Sequence, residues 1–350
     1  MRISKPKFSH SCESGESPFS KGFSMSMPED STKRPVIIIG AGLSGLVCAR
    51  HLTESGVECL VLDRGRVPGG RVATKTLSID NHHFCFNHGA SKLDCLEPET
   101  RVLLTRLGIE NLSHTGALTA VEMQSIPERL ARTVQVHRST HVERIRRDPM
   151  GWEVTAKQFG ISEPITLEAS HIIFTCPTVQ AARVLDSSGV ESPDFFRLVG
   201  YESQWVLLLT LGGNNRSLIP TVRLPHPYID SIEVQTKHDC DLLIARMKPE
   251  ESAARYDESP EEIERAMIQA VLNSSDDDAA EQDSKHSILG SCVHRWGLAR
   301  VRDHVHLPCF VNHDLGLGYA GDYFAGEHGS WRDADAAILS AIRCSNEIWA

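Results

Sequence analysis

A doubly wound α/β fold is the prediction for this chain, and three observations near its start carry it. Val36-Ile37-Ile38-Ile39 is a β-branched apolar run. Gly40-Ala41-Gly42-Leu43-Ser44-Gly45 follows at once as a G-x-G-x-x-G loop. A second apolar run, Cys59-Leu60-Val61-Leu62, ends on Asp63, about 20 residues after Gly40. Strand, glycine loop, helix, strand and acid in that order turn a weak glycine motif into a dinucleotide site. Gly40 permits the tight turn, Gly42 lets a pyrophosphate approach the backbone, and Gly45 lets helix and strand pack closely. The first helical turn, with Leu43 and Ser44, presents unpaired N–H groups and the positive end of the helix dipole to phosphates. Asp63 is placed to accept hydrogen bonds from ribose hydroxyls.

The remaining elements follow in chain order. Residues Met1 to Arg34 are rich in Ser, Lys, Pro and Glu without an apolar period, which predicts a disordered tail. Leu43, Leu46, Val47, Ala49 and Leu52 fall at helical spacing through about Glu54, and Gly56 ends that helix. Helices are expected over Pro98–Leu107, over Ser125–Arg132 with Pro127 in the first turn, over Thr178–Leu185 and over Pro260–Leu272. Strands are expected at 134–137, 140–145, 152–155, 171–175, 204–211, 229–236 and 242–247. Ser274 to Lys285 is acidic and reads as a surface loop. Ala334, Ala337, Ile338, Ala341, Ile342 and Ile348 give the C-terminal helix its apolar face.

Composition narrows the function classes. At 350 residues the chain suits one large domain or two ordinary ones. A formal charge of −10 and no basic stripe argue against a nucleic-acid partner. No apolar run approaches the roughly 20 residues of a membrane span. Ten scattered cysteines without a C-x-x-C pair imply a reducing compartment, taken as cytoplasmic, with no disulfide framework. His82, His83 and His88 lie near one another but lack a helical ligand pattern, so no metal site is expected.

Downstream of Asp63 the chain reads Arg64-Gly65-Arg66-Val67-Pro68-Gly69-Gly70-Arg71. An acid ending the second strand, a short basic linker and Gly-Gly-Arg resemble the start of the flavin amine oxidase superfamily. Phe86-Asn87-His88-Gly89-Ala90, Pro177 to Ala181, Tyr201 to Trp205, His294-Arg295-Trp296 and Ala320-Gly321-Asp322 resemble, in order, landmarks of the renalase-like NAD/FAD-dependent oxidoreductases. Three departures stand out: Asn87 replaces the usual Asp, Ser91-Lys92-Leu93 replaces the usual Q-Y-F, and Gly326 to Asp335 lacks the common E-G-A before the last helix. The resemblance implies a p-hydroxybenzoate hydroxylase-like architecture. A Rossmann-type FAD-binding domain would come from residues 35–75, 116–185 and 300–350. A smaller mixed-sheet substrate domain would come from 76–115 and 186–299.

The same resemblance implies non-covalent FAD held by Gly40, Gly42, Leu43, Ser44, Gly45, Asp63, Arg64, Gly70, Arg71, Gly89, Ala90, Gly321, Asp322 and Ala334. It implies hydride transfer from a small planar or amine-type substrate, such as a dihydronicotinamide isomer, with O2 as the electron acceptor. Hydride transfer needs orientation rather than a nucleophile. His294, Arg295, Trp296 and Tyr201 are the expected substrate-side residues; Tyr201 and Trp205 either line an aromatic wall or pack in the core, and His88 is either a local acid or base or a backbone cap. A flavin amine oxidase or desaturase of secondary metabolism is an alternative, as is a non-catalytic flavin-binding protein. Oligomeric state is left open.

Overall fold

The computed structural model describes residues 34–79, 82–109, 123, 125–212, 225–237, 240–272 and 287–349. In chain order the strands and helices are β1 (Val36–Ile39), α1 (Leu43–Glu54), β2 (Cys59–Leu62), β3 (Lys75–Ile79), β4 (His82–Phe86), α2 (Pro98–Arg106), α3 (Ser125–Ala131), β5 (Gln135–His137), β6 (Thr140–Asp148), β7 (Gly151–Gln158), β8 (Ile165–Ala169), β9 (His171–Phe174), α4 (Thr178–Ser188), β10 (Gly200–Gly212), β11 (Ile229–Lys237), β12 (Cys240–Met247), α5 (Pro249–Ala254), α6 (Pro260–Leu272), β13 (Ser287–Asp303), β14 (Phe310–Asn312), β15 (Leu317–Tyr319) and α7 (Asp333–Trp349).

The six-stranded sheet has the order β14-β15-β9-β1-β2-β5. All its neighbours are parallel except β14 and β15. β1 is apolar on both sides because both faces are covered. Val36 and Ile38 join a core with α1, α2, α3 and α7. Ile37 and Ile39 join the opposite core with Trp152, Val154 and Ala156 of β7 and with Ala181 and Leu185 of α4. β7 is the centre of a separate antiparallel sheet, β6-β7-β8. The fold is thus the expected α/β Rossmann type with a second unit.

That second unit is the antiparallel sheet β11-β12-β10-β13. Alternation along its strands makes two faces. Trp205, Leu207, Leu209, Leu243 and Ala245 pack on Ile263, Met267 and Val271 of α6. Val206, Leu208, Leu242 and Ile244 pack on Phe84 and Phe86 of the β3–β4 hairpin.

Two expected boundaries are corrected. Leu93, Cys95, Leu104 and Leu107, assigned by sequence to the substrate domain, are buried in the Rossmann-side core with α1 and α7. Apolar spacing predicted α2 but carried no information on which sheet it covers. Arg34, read as tail, is anchored: its guanidinium lies 2.6 Å from Asp148 and 3.1 Å from Glu168. The rest of the expected tail, the acidic loop over 274–285 and residues 116–122 of the expected FAD domain lie outside the described residues. Among the described residues no helix is long and apolar enough to cross a membrane, and none of the nine described cysteines is in a disulfide.

The tightest point of the fold is the glycine loop. Gly40 has φ +113°, and a Cβ on Gly45 would sit 1.8 Å from the Gly40 carbonyl oxygen. Thr175 Oγ1 donates to the carbonyls of Ile39 at 3.1 Å and Gly40 at 3.0 Å, clamping β9 to the loop. Gly45→Ala is therefore expected to destabilise the protein by at least about 1–3 kcal/mol through overpacking. Urea denaturation beside the wild type measures this, and an unchanged midpoint would refute the close-packing account.

Candidate functional site

The site grows from two glycine turns laid over one another. The first caps α1 with Gly42, with no side-chain hydrogen bond to the helix. Its N–H groups are left for another partner. The second begins after β2. Gly69 donates its N–H to the Ala41 carbonyl at 2.8 Å, and a Cβ on Gly70 would lie 3.2 Å from the Gly42 Cα. Around Gly42 itself a Cβ would meet nothing within 4 Å. Leu43 and Ser44 are buried in the first turn. Ser44 Oγ has no partner among the described residues.

Asp63 closes one side of this cradle. Its Oδ2 accepts from Ala41 N–H and its Oδ1 from Gly65 N–H, each at 2.6 Å. Burial raises its pKa, and those two hydrogen bonds and Arg64 pull it back. Each oxygen keeps a second lone pair for a ribose hydroxyl. Arg64 is exposed and acts there only through its charge.

Arg71 connects the cradle to the end of the chain. Its Nη2 donates to Asp322 Oδ1 at 2.8 Å across 251 residues. Nη1 lies 2.7 Å from Asp322 Oδ2, yet out of line for a hydrogen bond. Ser340 of α7 fixes the adjoining turn: its Oγ accepts from Gly321 N–H at 2.9 Å and lies 3.0 Å from the Gly321 carbonyl. Ala334 is buried in the first turn of α7. Asp333, at φ +44°, begins that helix, and burial, with Asp322 nearby, raises its pKa.

Gly89 and Ala90 abut the same arginine. Ala90 N–H donates to the Arg71 carbonyl at 2.8 Å, and a Cβ on Gly89 would lie 2.0 Å from that oxygen. The small residues here serve contact with Arg71 backbone. From Gly89 the chain turns to the second sheet. Arg246 of β12 is 9% exposed. It donates to the Gly89 carbonyl at 2.9 Å and to Glu233 of β11 at 2.6 Å, and Ser91 Oγ donates to the same Glu233 oxygen.

Beside Gly89 stands an aromatic wall. The His88 ring stacks on Trp296 at 5.0 Å and meets His294 edge-on at 4.7 Å. Trp296 Nε1 donates to the His88 carbonyl at 2.9 Å. Burial and then His294 and Lys75 lower the His88 pKa to about 3. Burial and Lys75 lower that of His294 to about 4. Both imidazoles are neutral at pH 7. His88 Nδ1 is buried with no partner among the described residues.

One sequence expectation is corrected here, and two further residues are placed. Arg295 pairs with Trp205 across β13 and β10, whereas His294 pairs with Val206 and Trp296 with Gln204. Cross-strand pairs share a face, so Arg295 points away from the wall. It lies over Trp205 at 5.4 Å and Tyr256 at 4.3 Å. Trp205 is core, with its Nε1 donating to the Arg255 carbonyl at 3.3 Å. Tyr201 lies near the Arg71–Asp322 pair. Its hydroxyl accepts from Thr178 N–H at 2.9 Å, and burial lifts its pKa to about 12. The H-R-W triplet was read as a unit, and strand alternation splits it. Sequence reading missed Arg246 and Lys75. A lone charge within the apolar run Leu242 to Met247 was the available signal for Arg246.

Residues 38–107 match the sequence family described as NAD(P)-binding Rossmann-like domain. Over 84 residues the chain is 36% identical to lysine-specific histone demethylase 1 homolog 2 of Arabidopsis thaliana. Over 66 residues it is 44% identical to Protein FLOWERING LOCUS D of the same plant. These stretches cover 24% and 19% of this chain, but only 11% and 8% of those proteins. The structure of putrescine oxidase bound to putrescine superimposes with a TM-score of 0.59 at 14% identity, covering 91% of this chain and 99% of that one. The chain therefore shares the fold of that oxidase.

The neutral imidazoles have a pH consequence. A histidine whose folded pKa lies below its unfolded value near 6.5 favours folding above that value. That contribution is lost as pH falls toward about 3 for His88 and about 4 for His294. Each withheld proton steepens the loss by about 1.4 kcal/mol per pH unit. Unfolding free energy measured from pH 7 to pH 4.5 should fall less steeply in His88→Gln/His294→Gln than in wild type. Parallel curves would refute the buried, neutral assignment.

Proposed function

We propose that this chain is an FAD-dependent oxidoreductase of the renalase-like kind. It oxidises a small planar substrate, such as a dihydronicotinamide isomer, with O2 as the electron acceptor. One observation carries the reading: an uncapped helix start with open space at Gly42 and an orphaned Ser44 hydroxyl, joined through Arg71 to Asp322 at the far end of the chain. An unsatisfied buried hydroxyl costs about 1–3 kcal/mol, and a bound phosphate would remove that cost. A plain nicotinamide dehydrogenase would have no use for the Gly321–Asp322 element. The putrescine oxidase fold supports an oxidase reading over that of a binding module.

The residues fit a non-covalent dinucleotide. The α1 N–H groups and Ser44 would hold the pyrophosphate, and Asp63 the ribose hydroxyls. The Arg71–Asp322 pair, Gly89, Ala90 and the first turn of α7 would border the ring system. When bound, FAD supplies a two-electron acceptor, which the protein's own side chains cannot provide. Trp296 and His88 offer a flat surface to a planar donor. His294, neutral and edge-on to both rings, orients that donor by hydrogen bonding. It has no proton to abstract, because hydride leaves carbon without a base.

Purified protein should show a flavin spectrum, release FAD on acid treatment, and bleach anaerobically with dihydronicotinamide isomers. A protein that neither carries nor takes up FAD would sink the reading. Gly42→Ala should weaken FAD retention at least tenfold while leaving the thermal midpoint nearly unchanged, since the added methyl meets only open space in the protein. His294→Ala should slow anaerobic reduction by on the order of 100-fold through lost orientation, with FAD still bound. Stopped-flow reduction separates the two variants.

A further inference from the structure

Lys75 opens β3, where burial alternates so that residues 75, 77 and 79 share the inward face. Leu77 and Ile79 on that face pack against the sheet side that carries Val206, Leu208, Cys292 and Trp296. The ammonium group therefore faces the wall made by His88, His294 and Trp296. It is close enough to depress both imidazoles.

The charges around this wall do not cancel. Arg71 is paired with Asp322, and Arg246 with Glu233. His88 and His294 are neutral. Asn87, buried beside His88, and Ser91 add no charge. Asp333 stands with Asp322 and His304, on the Arg71 side. No carboxylate among the described residues pairs with Lys75. Among the described residues the wall thus keeps one uncompensated positive charge beside a flat aromatic surface, in which His88 Nδ1 has no partner.

We propose that Lys75 makes this wall select an anionic planar ligand, one carrying a carboxylate or phosphate beside its ring, and reject alkylammonium ions. The fate of such a ligand as electron donor rests on the oxidoreductase reading; its binding does not. An ammonium ion entering here meets a like charge and two imidazoles that cannot become cations without further repulsion. Putrescine, a dication near neutral pH, is what the structurally similar oxidase is seen to bind. This chain shares that fold and presents the opposite electrostatic preference.

Isothermal titration of the purified protein with benzoate and with benzylammonium, two flat ligands of similar size and opposite charge, tests this directly. Benzoate should bind at least about tenfold more tightly, since a unit charge at close range in a half-buried site has at least that effect. Lys75→Gln should bring the ratio toward one, and Lys75→Arg should preserve it. Equal or tighter benzylammonium binding, no heat with either ligand, or an unchanged ratio in Lys75→Gln would overturn the proposal. The wild-type ratio decides even where a variant fails to fold. Flavin absorbance recorded on the same samples separates the two readings. A protein that neither carries nor takes up FAD but shows the benzoate preference defeats the oxidoreductase reading alone; a yellow protein without the preference defeats the anion selectivity alone.

Discussion

The close approach of backbone to backbone at a few glycines is the constraint on which the rest of this site depends. Without a side chain at Gly45, α1 lies against the Gly40 carbonyl, and the start of the helix faces outward with its amides free. Gly69 and Gly70 then lie directly over that loop. This fixes the direction in which Arg71 leaves. The Arg71 carbonyl receives Ala90, and the Gly89 carbonyl receives Arg246. The His88 carbonyl receives Trp296. A continuous run of backbone contacts thus leads from the first strand of the Rossmann sheet to the strands of the second sheet. A methyl group at Gly45 or Gly89 would break it by overlap with an oxygen, an error that rotamer changes cannot absorb.

Burial along that run settles the charge states. Cations are tolerated where a carboxylate meets them, as at Arg71 and Arg246. Imidazoles, which can shed their proton, do so instead. Arg71 and Arg246 therefore stand in ion pairs that brace the framework, and the two wall imidazoles are neutral. Paired charges brace well because removing either partner strands the other in a medium of low polarity.

Much of the Rossmann half was legible in the sequence, because each of its signals is local. A β-branched run, a glycine spacing and an acid at the end of the next strand all lie within residues 36–63. The pairing of Arg71 with Asp322 was legible only as two motifs, since nothing in either predicts a contact across 251 residues. The substrate side was read less well for a definite reason. His294, Arg295 and Trp296 are consecutive, but a strand sends alternate residues to opposite faces. A short motif on a strand is thus two half-motifs, and only residues 294 and 296 belong to the wall. The placement of α2 was illegible for another reason: an apolar helix face specifies that it is covered, not by what.

The altered segment after Ala90 bears on whether the substrate half is degenerate. Degeneration leaves buried charges without partners, because nothing selects for their compensation. Here Arg246, nearly buried, has both a carboxylate and a backbone carbonyl, and Ser91 completes the coordination of Glu233. The substitution at Ser91 is therefore integrated with β11 and β12. Buried atoms without a hydrogen-bond partner among the described residues include Ser44 Oγ at the glycine cradle and His88 Nδ1 at the aromatic wall, and also Arg71 Nη1, Thr210 Oγ1 and Gln235 Nε2 in the framework. What speaks against degeneration is therefore the compensated charges of Arg246 and Glu233, and not which polar atoms lack partners.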